Sequence, residues 1–268
     1  MKLEIFDVEH GACALLTADD GTRMMIDCGH NGSTGWRPGT HLSNSGISKL
    51  DLLAITNYDE DHVSGLPNLR KNVEIGKLWR NKSVSPDSLV KLKSEDGMGV
   101  GIDELVTMAK TYTYTGGTPF EMPGVERSAF HLNYPEFDDE NNLSFVIHLK
   151  INDVGFLFPG DLETLGWETL LERNEKFQDA VANTNVLIAS HHGRENGICT
   201  DIFDVYGCKP VWIVISDKGY MHETQNTVDY YATKCQGFKF RGSDRKVLTT
   251  RNDGKINFVF NHSGWWAE

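Results

Sequence analysis

An apolar run from Leu50 to Ile55, broken only by Asp51, ends in Thr56-Asn57-Tyr58-Asp59-Glu60-Asp61-His62, with Val63-Ser64-Gly65-Leu66 after it. The run has the length of a buried strand, so the polar cluster falls at a strand end. Asp59, Asp61 and His62 put two carboxylates and an imidazole on one tight turn. Hard oxygens and a borderline nitrogen gathered in this way suit zinc, manganese or iron. Asp and Asn also dominate ordinary turns, and Asp-Glu-Asp reads equally as a solvated acidic loop. The stretch alone does not decide between the two; its company further along the chain does.

Apolar runs of strand length recur on both sides. Residues 3–8 and 13–18 read as strands joined by Glu9-His10-Gly11-Ala12, and Asp19-Asp20-Gly21 is a hairpin signal before the strand Met24 to Gly29. Residues 30–44, rich in Gly, Ser, Thr and His and without periodicity, predict a long loop. A short helix is expected over 63–70, a strand over 75–79, and helices over 86–94 and 101–111 from the spacing of Leu89, Leu92, Ile102, Leu105, Val106 and Ala109. The second half repeats the pattern. Strands are expected at 129–134, 143–151 and 155–159, the last two forming a hairpin through Asn152-Asp153, followed by a helix carrying Leu165, Trp167, Leu170 and Leu171. Further strands at 186–189 and 211–216, a helix near 224–234 and a closing hairpin of 246–250 with 256–260 complete the chain. Two strand-rich halves edged by helices predict an α/β (α+β) chain, two mixed sheets packed face to face with helices on both outer sides. Without a Pro/Gly/Ser linker or a low-complexity segment, residues 1–268 read as one domain.

Composition sets outer limits. At 268 residues, 39% hydrophobic and 24% charged, the chain can bury a sizeable core. Nothing approaches the roughly 18 consecutive apolar residues of a membrane span. Met1 to Asp7 reads as a first strand rather than a signal peptide, so a cytoplasmic protein without a membrane partner is expected. Five cysteines (13, 28, 199, 208 and 235), odd in number and without a Cys-x-x-Cys pair, predict reduced, mostly buried thiols. A formal net charge of −12 argues against a long nucleic-acid duplex as ligand. It leaves room for a phosphate substrate, since bound metal ions invert the field locally.

The polar residues at the expected strand ends are Asp27, Asn57 to His62, Asp161, His191-His192 and Ser216. Four of these five groups offer Asp or His, the side chains of a hydrolytic metal site. Gly160-Asp161 also reads as a helix N-cap before Leu162. The His191-His192 pair, after four apolar residues and before Gly193, points to a strand-end ligand. His222 reads equally as a surface histidine.

In this order the residues resemble the metallo-β-lactamase superfamily, whose signature is His-x-His-x-Asp-His, a third His or substitute, Gly-Asp and a late His. More narrowly, the chain is similar to the metallo-hydrolase domain of bacterial ComEC-type competence (DNA-uptake) proteins. The matching elements are Phe6-Asp7-Val8-Glu9-His10-Gly11, Met25-Ile26-Asp27-Cys28-Gly29, Asn57 to His62, Asn141 to Ser144, Phe158 to Asp161 and His191-His192-Gly193. Ser216, Gly219-Tyr220-Met221-His222 and Thr250 to Gly254 continue the series, which covers nearly the whole chain.

The resemblance implies an αββα sandwich with its metals in the cleft between the sheets. It assigns Asp61, His62 and His191 to one metal position, Asp161 to a bridge between two, and Asp59 to the other position. His192 is left as neighbour or alternative ligand, since spacing does not separate it from His191. Asp27 would brace a ligand, Asp61 would bind or orient the attacking hydroxide, and His222 would contact a phosphate or protonate the leaving group. The chain departs from the pattern at three places: Asn57 stands where relatives carry His, Glu9 replaces a Gly, and Glu223 follows His222 in place of Pro. The first position is then reduced to Asp59 with Asn57 and Asn141, poor in nitrogen, and is expected to be weak, manganese-preferring or empty. One or two Zn²⁺ or Mn²⁺ ions are the expected cofactors.

The expected function is metal-dependent hydrolysis, foremost of a phosphodiester in a nucleotide or short nucleic acid, as a phosphodiesterase or nuclease. Trp36, Arg37 and His41, with Trp79, Arg80 and Lys82, are candidates to flank such a ligand or are ordinary surface. The alternatives are hydrolysis of an ester, lactone or thioester on the same site, or a catalytically silent fold serving as a sensor or as the partner subunit of another protein or of a second copy.

Overall fold

The computed structural model describes residues 1–94, 97–112, 120–218 and 226–268. In chain order the strands are β1 (Lys2–Ile5), β2 (Ala14–Thr17), β3 (Arg23–Ile26), β4 (Lys49–Leu50), β5 (Leu52–Ala54), β6 (Glu74–Ile75), β7 (Leu78–Trp79) and β8 (Val125–Phe130). The rest are β9 (Val146–Ile151), β10 (Val154–Phe158), β11 (Val186–Ile188), β12 (Trp212–Ile215), β13 (Phe238–Phe240), β14 (Ser243–Arg245), β15 (Val247–Thr249), β16 (Ile256–Asn261) and β17 (Gly264–Ala267). Among the described residues one sheet runs β14-β13-β17-β16-β1-β2-β3-β5-β7 and a second runs β15-β12-β11-β10-β9-β8, with β4 and β6 as a small separate pair.

Both large sheets are apolar on two faces, and the period of two sorts the side chains. Leu3, Leu16, Met24 and Ile26 of the first sheet meet Ile147, Leu149, Phe156 and Val214 of the second in the central core. The alternate positions Leu15, Met25 and Leu53 face outward onto Leu66, Leu69, Ile102 and Leu105, from helices Leu66–Asn72 and Val100–Thr111. On the other side Val146, Leu157, Leu187 and Ile213 pack against Trp167, Leu170, Phe177 and Val181, from helices Thr164–Arg173 and Glu175–Ala182. Each such side chain contributes about 1.5–3 kcal/mol by leaving water. The result is the αββα sandwich expected from the sequence. All five cysteines are free and buried. No helix among the described residues is long and apolar enough to cross a membrane.

Two expectations are corrected. The loop over 30–44 contains the helix Pro38–Asn44, seeded by Pro at its start and held by packing rather than by its own periodicity. Gly39 sits so close to helix Leu66–Asn72 that a Cβ would lie 2.3 Å from the Asn68 carbonyl oxygen. The closing hairpin is not a hairpin. β15 pairs in parallel with β12, whereas β16 pairs antiparallel with β1 in the other sheet. The helical turn Thr250–Asp253 makes the crossing, pinned where the Asp253 carboxylate accepts the Thr249 N–H at 2.9 Å and the Arg245 guanidinium at 2.9 and 3.0 Å. By contrast, the turn Asn152-Asp153 joins β9 and β10 as expected, with both residues in the left-handed region.

Candidate metal centre

The polar strand ends meet at one edge of the two sheets. β5 delivers Thr56 to His62, β3 delivers Asp27, β10 delivers Asp161, β11 delivers His192 and β12 delivers Ser216. Several of these residues hold backbone shapes that L-amino acids seldom adopt. Asp27 has φ of 55°, His191 51° and His192 53°, and Glu9 nearby has 63°. Such conformations cost on the order of 1–3 kcal/mol each and persist only where the surroundings over-determine them. Here Ser190 Oγ donates to Leu162 O at 2.6 Å and the His191 N–H donates to Gly160 O at 3.1 Å, which fixes the His-His turn. Gly11 and Gly29 close in on the Asp61 carbonyl oxygen, which a Cβ would approach to 2.6 and 2.4 Å respectively.

The hydrogen bonds then aim the imidazoles. Asp27 Oδ1 accepts the Thr56 N–H at 2.8 Å, and its Oδ2 lies 3.0 Å from His62 Nδ1. That leaves His62 Nε2 facing Asp161 Oδ1 at 3.0 Å. On the opposite side the Ser216 carbonyl takes His192 Nδ1 at 3.0 Å. His192 Nε2 makes no hydrogen bond of good geometry, although Asp61 Oδ2 stands 3.2 Å and Asp161 Oδ2 3.6 Å away. Ligand atoms of His62, Asp161 and His192 lie within 4.8 Å of one another, as do those of His10, Asp61 and His192.

Burial on its own would push the His62 imidazolium down, but Asp161 and Asp27 outweigh it and hold its pKa well above the usual value. His192 is likewise raised, to about 10, because Asp161 and Asp61 overcome its burial. Asp161, for which burial is again opposed, is held well below the usual carboxylate range by the two imidazoliums. Positive charge is what this cluster demands, and a divalent cation set among the same groups would displace those protons. Space agrees: a cavity of about 30 Å³ is bounded by Asp27, Thr56, His62, Asp161, His192 and Ser216, enough for one small ion or water. With two imidazole nitrogens, each oriented through its other nitrogen, and carboxylate oxygens beside them, this donor set fits one cation.

Other candidates sit elsewhere. His191 turns away from the cluster: its Nε2 accepts from the Arg194 guanidinium at 3.0 Å, and Glu163 Oε1 lies 3.7 Å from its Nδ1. His192, kept as the alternative, is the one of the pair whose Nε2 faces Asp61 and Asp161. Asp59 Oδ1 is held by the Lys93 ammonium at 2.6 Å. Asn57 Nδ2 donates to Ser144 Oγ at 3.2 Å and to Asn141 Oδ1 at 3.3 Å, while its Oδ1 accepts the Asp59 N–H at 2.7 Å. Asn141 in turn donates to Glu163 at 3.0 Å. Asn57, Asp59 and Asn141 are therefore bound to one another and to Lys93, and do not fit a second ion as they stand. His222 and the Gly219 to His222 element lie outside the described residues.

Of the residues suggested to flank a ligand, Trp36 stacks on Phe6 with ring centroids 4.7 Å apart, and His41 meets the same ring edge-on at 5.1 Å. Trp79 packs on Phe145 at 5.1 Å, and Arg80 is buried, donating to Val84 O at 2.6 Å. Arg37 stands at the N-cap position of helix Pro38–Asn44, and Lys82 lines a separate cavity with Trp79 and Arg127. Three residues at the centre were not singled out from the sequence. His10, which the sequence places in a turn and in the Phe6 to Gly11 element without a site role, sets its ring 4.5 Å from that of His192. Arg194 bridges from His191 to His10 Nε2, at 3.3 Å from the latter. Lys93 is the third.

The sheet order and this strand-end cluster define the class: two mixed sheets face to face between helices, with a candidate metal centre at their common edge, an arrangement similar to that of the metallo-β-lactamase superfamily. The chain resembles ComE operon protein 3 of Bacillus subtilis (strain 168), being 26% identical over an alignment of 283 residues that covers 97% of this chain and 33% of that protein. The likeness agrees with the ComEC-type motif series, and the chain spans about a third of the length of that relative. No family model matches the chain. Among solved structures, a Thermotoga maritima protein described as a zinc-dependent hydrolase of the metallo-β-lactamase superfamily is 10% identical, with 92% of this chain and 97% of that chain covered at a TM-score of 0.46. A diphosphatase of the PhnP family is 12% identical, with 96% and 98% covered at 0.44. Zn²⁺-bound PqqB from Methylobacterium extorquens is 14% identical, with 85% of each chain covered at 0.44.

Proposed function

We propose that the chain is a metal-dependent hydrolase of phosphoryl esters, with a phosphodiester in a nucleotide or short nucleic acid as the favoured substrate. The observation that carries this reading is Arg194. Its guanidinium donates to His191 Nε2 at 3.0 Å and His10 Nε2 at 3.3 Å, while its Nε is buried without a partner. Burial and the neighbouring charges of Arg194 and His192 lower the pKa values of His191 and His10, the latter to about 4, so both imidazoles accept as neutral groups. A fixed guanidinium beside a cation-demanding cluster suits the oxygens of a phosphoryl group.

A divalent cation bound by His62, Asp161 and His192, with Asp61 and His10 in reach, would supply Lewis acidity and a water of lowered pKa. The protein groups do the rest. Asp27 and the Ser216 carbonyl fix the two imidazole planes. Asp61, kept ionised because His192 and His62 outweigh its burial, binds or orients the attacking water. Arg194 steadies the negative charge that grows on the phosphoryl oxygens.

The test is turnover of bis-p-nitrophenyl phosphate beside p-nitrophenyl acetate, with Zn²⁺ or Mn²⁺ added. Diester hydrolysis that is lost in Asp161→Ala, and whose KM rises about 10- to 100-fold in Arg194→Ala, supports the reading. Turnover of the carboxylic ester alone would favour the carbonyl hydrolase. Bound metal without either turnover would favour the silent fold.

A further inference from the structure

We infer that Lys93 takes the place of a second metal ion, so that the centre holds a single cation beside a built-in ammonium. The inference rests on the metal-dependent reading above and specifies its stoichiometry. Lys93 closes the helix Pro86–Lys93 and is only 4% exposed. Its Nζ lies 2.6 Å from Asp59 Oδ1 and 2.8 Å from Glu140 Oε1. Burial lowers the pKa of the ammonium, but the two carboxylates reverse that and raise it, so the charge is kept.

A lysine is seldom buried unless paired, and here it is paired twice, on the one carboxylate that the motif offers to the first position. The remaining donors there are also occupied. The Asn57 amide is held at both ends, by Ser144, Asn141 and the Asp59 N–H. Asn141 uses its oxygen for Asn57 and its nitrogen for Glu163. A divalent ion entering this group would have to displace a hydrogen-bonded ammonium and then sit beside it, since the helix keeps Lys93 in place. Two like charges a few ångströms apart at low dielectric repel strongly. The replacement of an expected His by Asn57 and the presence of Lys93 therefore work together: the chain lacks the nitrogen that would draw the second metal and sets a single positive charge on the carboxylate that metal would have used.

The experiment counts ions, independently of activity. The whole protein is saturated with Mn²⁺, desalted, and read by elemental analysis and electron paramagnetic resonance. The expected result is about one ion per chain with the spectrum of isolated Mn²⁺. Lys93→Ala, which frees both carboxylates and the space between them, is expected to rise toward two ions with an exchange-coupled signal, while Lys93→Arg stays at one. Two ions in the wild type would overturn the inference and leave the hydrolase reading standing. So would a folded Lys93→Ala that still holds one. No ion in the wild type would overturn both. Should Lys93→Ala fail to fold, the wild-type count and its spectrum still decide.

Discussion

The strand-end cluster has two sides, linked where Ser144 Oγ accepts both the Asp161 N–H and Asn57 Nδ2, and they have been built differently. On one side His62 and His192 each have Nδ1 tied to an oxygen of the framework, and their Nε2 atoms turn toward Asp161 and Asp61. That side is unfinished without a positive charge. On the other, Asn57, Asp59, Asn141 and Glu140 are joined by an internal network that already includes a positive charge, Lys93. Ligand-type residues thus do not by themselves make a metal site. What separates the two sides is whether the polar atoms already have partners.

The largest effect that should break this contrast is on the unfinished side. His192→Ala removes the one imidazole that belongs to both donor groups, and should weaken Mn²⁺ or Zn²⁺ binding by about 1000-fold or more. Such a loss exceeds the roughly 10–100-fold cost of losing an outer partner of a ligand. Calorimetric titration of the folded variant checks it, and unchanged affinity would mean that the ion sits elsewhere. Asp27→Asn comes next, at about 10- to 100-fold, because His62 would keep its place but lose the carboxylate that sets its tautomer. Retention of full affinity there would reduce Asp27 to a backbone brace for Thr56.

On the finished side the expected signature is reversed. Asp59→Asn should leave the affinity of the bound ion within about threefold and cost stability instead. Breaking a buried ion pair outright costs roughly 3–5 kcal/mol, but Glu140 still holds Lys93, so about 1–2 kcal/mol is expected. For a chain of this size that is a fall in Tm of about 3–6 °C, read by thermal melting with and without metal. A large loss of bound ion on this substitution would erase the distinction between the sides.

The sequence revealed one side far better than the other, for a physical reason. Asp27, Asp61, His62 and Asp161 announce themselves because each ends an apolar run, and strand ends of packed sheets collect at a common edge. The layered fold was legible for the same reason, through runs such as Leu52–Ala54 and Val186–Ile188. Lys93 was not, because it lies on a helix 34 residues from Asp59 and nothing in its local pattern distinguishes it from a solvated helix lysine. Nor was the meeting of His10 with His192 and Arg194, which depends on the turn after β1 folding across to the end of β11. The helix Pro38–Asn44 and the crossing at Thr250–Asp253 were missed because tertiary contacts, not periodicity, define them.

The smallest expected effect falls between the two histidines that spacing could not separate. His191 and His192 share a left-handed backbone, with φ of 51° and 53°, so the consecutive side chains leave the turn in different directions. His192 goes to Asp61 and Asp161, His191 to Arg194. His191→Ala should therefore change ion affinity by no more than about threefold, against the loss of about 1000-fold for His192→Ala that follows if a first ligand counts for more than an outer partner. Its effect should appear on the substrate side. Without His191 Nε2 the guanidinium keeps only His10 as an imidazole acceptor, and a less well-fixed Arg194 binds an anionic substrate more weakly. A rise in KM of a few-fold at unchanged metal content is the expected outcome, since one neutral hydrogen bond contributes about 0.5–1.5 kcal/mol. If His191→Ala instead strips the ion, both histidines ligate it, and the division of labour drawn from their orientation fails.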